Sequence, residues 1–250
     1  MAGRYTFGDS DLAAQRMALV AEVFGPSSRA LLEHAVPPGG GTALDLGCGP
    51  GHSTRLVAEV CRPRRTLGVD GSERYVELAR ATTPDPAVGF VHHDVTRLPL
   101  PEAPADVVYA RLLLAHLPDP PGLVERWRSQ LRPGGVVVVD EVESIEAPPG
   151  VLRDYEDLVV ALVAAEGGPM YAGPQLAPLG GECVEVLVDA AVAARMYGMN
   201  LATWRDRALG LDLASPDDLD RVAAGLERLA GGHGVRRSVR WVLRQIVVPA

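Results

Sequence analysis

Asp45-Leu46-Gly47-Cys48-Gly49-Pro50-Gly51 sets an acid just ahead of three glycines spaced two apart, followed by Ser53-Thr54 and a helical pattern. Glycine is needed where a backbone turns sharply or lies against a ligand, because it carries no Cβ. The loop opens onto a helix N-terminus, where unpaired N–H groups gather. This layout serves any nucleotide, and a lone Gly-x-Gly is weak evidence by itself. Asp45 narrows it. A carboxylate at that place repels a pyrophosphate and suits a ligand carrying an ammonium group and a sulfonium. His52 stands where a dinucleotide fingerprint has its last glycine, which counts against NAD.

Further charges fall where later apolar runs end. Asp70 closes the next run roughly 20 residues after the first glycine, a spacing at which an acid bonds both hydroxyls of a ribose; the plainer reading is a helix cap. Asp94 either accepts from an exocyclic amine, as on adenine, or shapes a turn. Arg111 and Glu141 end two more runs.

The elements that must position these residues follow from the pattern. Residues 10–24 read as a helix capped by Ser10 or Asp11; Gly25-Pro26 breaks it, and a second short helix runs to His34. Strands are expected over 42–46, 66–70, 88–92, 105–110 and 136–139, with helices over 53–60, 72–81 and 120–131 between them. Arg132-Pro133-Gly134-Gly135 stops the last helix, and the apolar, β-branched run at 136–139 suits the middle of a parallel sheet. The result is an α/β, doubly wound, Rossmann-like sheet whose ligand edge lies at the strand C-termini, where Asp45, Asp70, Asp94, Arg111 and Glu141 collect. Beyond Glu141 the spacing predicts helices over 151–166, 201–209 and 216–230, a short helix and turn over 171–180, and strands over 183–188 and 236–248, the last antiparallel. One domain is expected, with a helical N-terminal lid (1–38), a cofactor-binding half (42–140), helical substrate caps (145–180 and 199–232) and closing strands.

Composition removes whole classes of function. The net charge is −8 and there is no long basic tract, so neither nucleic acid nor an anionic membrane is an expected partner. All 24 basic residues are arginine, which excludes Schiff-base chemistry, a lysine base and a phosphate-loop lysine. Cys48, Cys61 and Cys183 lack metal-ligand spacing and read as free thiols. No apolar run is long enough for a membrane span, and the first residues lack the form of a signal peptide. A cytoplasmic monomer or homodimer without a bound metal is expected.

With these residues assembled, the chain resembles the class I S-adenosylmethionine-dependent methyltransferases, most of all the small-molecule branch of the ubiquinone/menaquinone-biosynthesis type. The resemblance rests on the 44–51 glycine loop, Gly68-Val69-Asp70-Gly71-Ser72, His93-Asp94-Val95, residues 106–117 and Leu131-Arg132-Pro133-Gly134-Gly135, and it covers 42–140. It implies a seven-stranded sheet with an antiparallel last strand and S-adenosylmethionine as cofactor, S-adenosylhomocysteine being the product. It also implies Gly47, Gly49 and Gly51 against the cofactor, Asp70 on the ribose, Asp94 and Val95 at the adenine, and Arg111 on the methionine side. Cys48, Gly71, Ser72 and His116 complete the candidate cofactor set.

The methyl acceptor is less legible. Asp119-Pro120-Pro121-Gly122 is superficially similar to the motif of nucleic-acid amine methyltransferases, but it lies past the fourth strand's end and has glycine in place of the aromatic ring. The Asp140-Glu141 pair leaves a metal-dependent catechol site open. His116 is the candidate general base, with a structural loop histidine as the alternative. Glu141 is the second candidate, placed to meet an acceptor hydroxyl or amine. Tyr5, Phe7 and Gln15 are expected in the N-terminal lid, and Tyr155, Met170 and Tyr171 as a roof over an apolar acceptor. The expected reaction is methyl transfer to O, N or C of a small, fairly apolar metabolite such as a quinone precursor, polyketide, terpenoid or peptide-derived product. A non-methylating relative that binds the cofactor as a cyclase or binding protein is the alternative.

Overall fold

The computed structural model describes residues 9–232 and 237–250. One seven-stranded sheet runs through it. Four parallel strands come first: β1 (Thr42–Leu46), β2 (Arg65–Asp70), β3 (Val88–His92) and β4 (Ala105–Arg111). β5 (Leu131–Glu146) follows in parallel, then β6 (Glu182–Asp189) and β7 (Ser238–Pro249). The spatial order is β3-β2-β1-β4-β5-β7-β6, and β7 runs antiparallel to both β5 and β6. The doubly wound sheet and its antiparallel last strand are as expected. The order reverses between β1 and β4, which opens a crevice at the C-terminal ends of these strands.

α1 (Asp11–Ala35), α2 (His52–Cys61), α3 (Glu73–Thr82) and α4 (Pro120–Arg128) cover the parallel half. α5 (Val151–Ala165) and the single turn α6 (Gly173–Leu176) precede β6, while α7 (Ala190–Gly210) and α8 (Pro216–Ala230) lie between β6 and β7. The parallel strands are buried on both faces; Leu44, Leu46, Val69, Val108, Val137 and Val139 share one apolar cluster with Trp127. A second cluster joins α5, α7 and α8 to the far ends of β5 and β7 through Tyr155, Trp204, Leu219 and Leu243.

Three expectations are corrected. Gly25-Pro26 does not break the first helix: α1 is continuous, with Pro26 inside it. Proline there costs roughly 3 kcal/mol, but ending the helix would release Ser28, Leu31 and Leu32, which are buried beyond it. β5 starts at Leu131 and crosses Arg132-Pro133-Gly134-Gly135, then runs on to Glu146 because β7 supplies a partner along that length, from Val136 against Pro249 to Glu146 against Arg240. Asp140 and Glu141 are therefore inside a strand. Finally, α7 begins at Ala190, capped by Asp189, far ahead of the expected 201. The expected start of the last strand at 236 lies outside the described residues, as do Tyr5 and Phe7 of the expected lid.

Candidate active site

β1 delivers Asp45 to the crevice, and the glycine loop turns from there into α2. Gly47 has φ +67° and Gly51, the N-cap of α2, has φ +83°. A Cβ on Gly47 would lie 2.6 Å from Leu113 Cδ1, and one on Gly51 would lie 2.9 Å from the Phe90 ring. Only glycine fits both the conformation and the space. Asp45 is buried; its Oδ2 accepts from Ser53 Oγ at 2.7 Å and Thr54 Oγ1 at 2.6 Å. Oδ1 is buried with no hydrogen-bond partner. Burial pushes this carboxyl up to about 6, with the Thr54 and Ser53 hydroxyls holding it back. A buried carboxylate with an orphaned oxygen suits a cationic ligand, whose charge favours the ionised form. Cys48 is packed into the core beside Val76 and Phe90.

Asp70 stands at the end of β2 on the same rim. Its Oδ2 accepts from the Gly49 N–H and its Oδ1 from the Ser72 N–H, each at 2.8 Å. Each oxygen keeps a lone pair, so the half-buried carboxylate can still receive two hydroxyls. Gly71 is exposed, and its carbonyl is bonded to His92 Nε2 at 3.0 Å. Ser72 caps α3 through Tyr75 N–H. Asp94 is occupied locally: Oδ1 accepts from the Thr96 N–H at 2.9 Å and its hydroxyl at 2.7 Å, while Oδ2 pairs with Arg97 at 3.3 Å. The Thr96 hydroxyl and N–H hold Asp94 below the usual carboxylate range. These are local turn bonds, and Oδ2 keeps a lone pair that can meet an exocyclic amine. Val95 is buried in the core, and its carbonyl accepts from Trp127 Nε1 at 2.9 Å.

Arg111 ends β4 and is fixed by a relay the sequence did not suggest. Ser28 of α1 accepts from Arg111 Nη1 at 3.2 Å and donates to Asp140 Oδ2 at 2.6 Å. Gln245 donates to Asp140 Oδ1 at 3.2 Å. Asp140 is thus a buried anchor for the arginine. Glu141, next along β5, points the other way, as strand neighbours must. Its Oε1 accepts from the N–H groups of Leu113 at 2.6 Å and Leu114 at 2.8 Å. Burial raises it to about 7 against those two donors. Glu141 therefore braces the loop carrying His116 as well as facing the crevice. The two acids do not converge on one point, which removes the pairing that left a catechol metal site open.

One cavity of about 110 Å³ joins these groups to α1, α5 and α7. Gly47, Ser53 and Arg111 line it, and so do His116 and Glu141. Its far wall holds Phe24, Tyr155, Met170, Tyr197 and Trp241, together with Arg16, Glu156 and Asn200. Phe24 and Trp241 meet at a ring-centroid distance of 4.9 Å, and Tyr155 stacks on Tyr197 at 4.1 Å. Tyr155 and Met170 thus stand where a roof was expected. Tyr171 sits behind the wall with its hydroxyl 3.5 Å from Glu156 Oε2. Gln15 is exposed and points away; its neighbours Arg16 and Met17 take its place, since a helix turns 100° per residue. His116 is half-buried, and burial followed by the charge of Arg16 lowers it to about 4, so it is neutral at pH 7.

Reasoning on the sequence missed Arg16, Glu156 and Asn200. A signal was there for two of them. Ala13, Arg16 and Val20 are buried on one face of α1, and Leu152, Tyr155, Glu156 and Val159 on one face of α5. A charge inside an apolar stripe at helical spacing marks a buried polar site.

Residues 44–139 match the family model described as "Methyltransferase domain". Over those residues the chain is similar to a methyltransferase domain. A 37.1 kDa transposon-encoded protein of Streptomyces fradiae is 32% identical, over 74% of this chain and 59% of its own length. A trans-aconitate 2-methyltransferase of Azoarcus sp. is 34% identical, over 49% of this chain and 47% of its own. The chain thus spans about half the length of these curated relatives. A putative type II methyltransferase structure from Anaeromyxobacter dehalogenans superposes with a TM-score of 0.60 at 22% identity, covering 89% of this chain and 95% of that one, a likeness of fold. The cofactor of the methyltransferase domain is S-adenosylmethionine. The residues present fit it: the orphaned Asp45 oxygen suits its positive charge, and each Asp70 oxygen keeps a lone pair for a ribose hydroxyl.

Proposed function

We propose that the protein transfers a methyl group from S-adenosylmethionine to an O, N or C atom of a small, fairly apolar metabolite. The observation that carries this is the single cavity linking the glycine loop and Arg111 to the aromatic wall of α1, α5 and β7. When bound, the cofactor supplies an electrophilic methyl group on a sulfonium. Asp70 would hold the ribose, Gly47 and Gly49 the backbone of the ligand, and Arg111 its carboxylate, with Asp45 balancing its positive charge from behind Ser53. Acceleration then comes from holding the acceptor in line and keeping water out, which the apolar wall is shaped to do.

His116 and Glu141, both in the cavity lining, divide the polar work. A neutral imidazole at about 4 is a weak base but a good hydrogen-bond acceptor, so His116 orients an acceptor hydroxyl or N–H. Glu141, at about 7, is matched to proton removal near neutral pH while its other oxygen holds the loop. The Azoarcus relative named for trans-aconitate offers a polycarboxylate as the competing acceptor class.

Isothermal titration of the full chain with S-adenosylmethionine and S-adenosylhomocysteine tests the cofactor reading. Binding of both is expected, with at least a tenfold loss in Asp70→Ala. If neither ligand binds, or the variant binds as well as the wild type, the assignment fails. Transfer of labelled methyl to candidate metabolites tests the reaction itself.

A further inference from the structure

The cavity lining carries buried polar atoms that are not fully paired among the described residues. Glu156, on α5, is only 4% exposed, and Asn200, on α7, only 6%. Glu156 Oε1 and Asn200 Oδ1 are both buried without a hydrogen-bond partner among the described residues, and so are Trp241 Nε1 and the hydroxyl of Tyr197, which neighbours Glu156. The other half of each acceptor group is committed: Glu156 Oε2 lies 3.5 Å from the Tyr171 hydroxyl, and Asn200 Nδ2 donates to the Tyr155 hydroxyl at 2.7 Å. These bonds fix the two side chains, and both residues line the cavity. A buried carboxylate or amide oxygen left unpaired costs roughly 1–3 kcal/mol, so a site that keeps two of them is built to receive donors.

The geometry points to a neutral, ring-sized acceptor bearing at least two hydroxyl or N–H donors, received by Glu156 Oε1 and Asn200 Oδ1 with its flat face against the aromatic wall. This inference rests on the methyl-transfer reading above and names its substrate class. The cavity is of the same order as the ~150 Å³ space that admits benzene, and Phe24, Trp241 and the stacked Tyr155–Tyr197 pair offer ring faces. Charge argues against a polycarboxylate. The lining holds Glu141 and Glu156 as well as Arg16 and Arg111, and Arg111 is already tied to Ser28 at the cofactor end. A ligand with several carboxylates brings no donors for the two spare oxygens and adds repulsion from both acids.

The test uses the full chain saturated with S-adenosylhomocysteine and titrated with three probes: resorcinol, m-xylene and citrate. m-Xylene has the shape of resorcinol without its donors, and citrate is the polycarboxylate. Resorcinol is expected to bind at least tenfold more tightly than either. Glu156→Leu and Asn200→Ala are each expected to weaken resorcinol at least tenfold while leaving m-xylene unchanged or tighter, the latter showing that the wall is still folded. Equal binding of resorcinol and m-xylene, tighter binding of citrate, or an unaltered resorcinol affinity in both variants overturns the inference. The wild-type ranking decides the matter even where a variant does not fold. If S-adenosylhomocysteine itself does not bind, the function proposed above falls and this inference with it; if it binds and resorcinol shows no preference, only this inference falls.

Discussion

Glutamine in place of Glu141 separates the bracing role of this side chain from its charge. The carboxyl is 1% exposed and raised from an ordinary 4.5 to about 7, burial outweighing its two N–H donors. The sign follows from which state holds the proton. Below pH 4.5 the group is protonated in both folded and unfolded chains, and its contribution to stability is fully present. Between pH 4.5 and about 7 the unfolded chain releases the proton and the folded chain keeps it, so stability falls as pH rises. Above that range both forms are ionised and the loss is complete. Each tenfold step in acidity is worth about 1.4 kcal/mol, so the interval amounts to roughly 3 kcal/mol. Glu141→Gln keeps a carbonyl oxygen for the Leu113 and Leu114 N–H groups and cannot ionise. Urea unfolding of both proteins from pH 4 to 8 measures the difference. The two are expected to have similar stability near pH 4, with the variant more stable by roughly 3 kcal/mol at pH 8. Glu156 and Asp45 titrate alike in both chains, so they cancel from the comparison. Parallel stability curves would refute the reasoning, because the burial of Glu141 would then carry no cost.

Two further outcomes are expected. Ser28→Ala removes the hydroxyl between Asp140 and Arg111, leaving a buried carboxylate oxygen without its donor; urea unfolding should show a loss of about 1–3 kcal/mol, and titration a severalfold weaker affinity for S-adenosylhomocysteine. Gly51→Ala forces a Cβ into a φ of +83° and within 2.9 Å of the Phe90 ring; the same unfolding measurement should show about 1–3 kcal/mol lost.

The parallel half was legible because its signals are local. An apolar run, a glycine or aspartate at its end and a capped helix repeat from β1 to β4, and fully buried strands leave little choice of face. The resemblance was carried by that same half. What failed depends on distant partners. Pro26 reads as a break until Ser28 is seen bonded to Asp140, more than a hundred residues away. The length of β5 is set by β7, not by its own residues, and its proline and glycines argue for a turn. Asp70 bonds the backbone of the glycine loop and of Ser72, whereas Asp94, at a similar strand end, bonds its own turn through Thr96 and Arg97. The acceptor wall was least legible because α1, α5 and α7 bring single residues together from far apart, and sequence spacing does not encode where helices cross.

The placement of β7 between β5 and β6 also fixes the order in which the protein can be made. β5 is complete once Glu146 has been synthesised, yet its outer edge has no partner until Ser238 and its successors emerge. At typical rates of about 5–20 residues per second, that interval lasts roughly 5–20 s. Throughout it Val136 to Val139 present an unpaired, β-branched strand, the kind of edge that pairs with other chains. The nascent chain is therefore most exposed to aggregation after its cofactor-binding half is built and before its last strand arrives. Ribosomes stalled between residues 147 and 237 would display the half that binds S-adenosylmethionine with one side of its sheet still open.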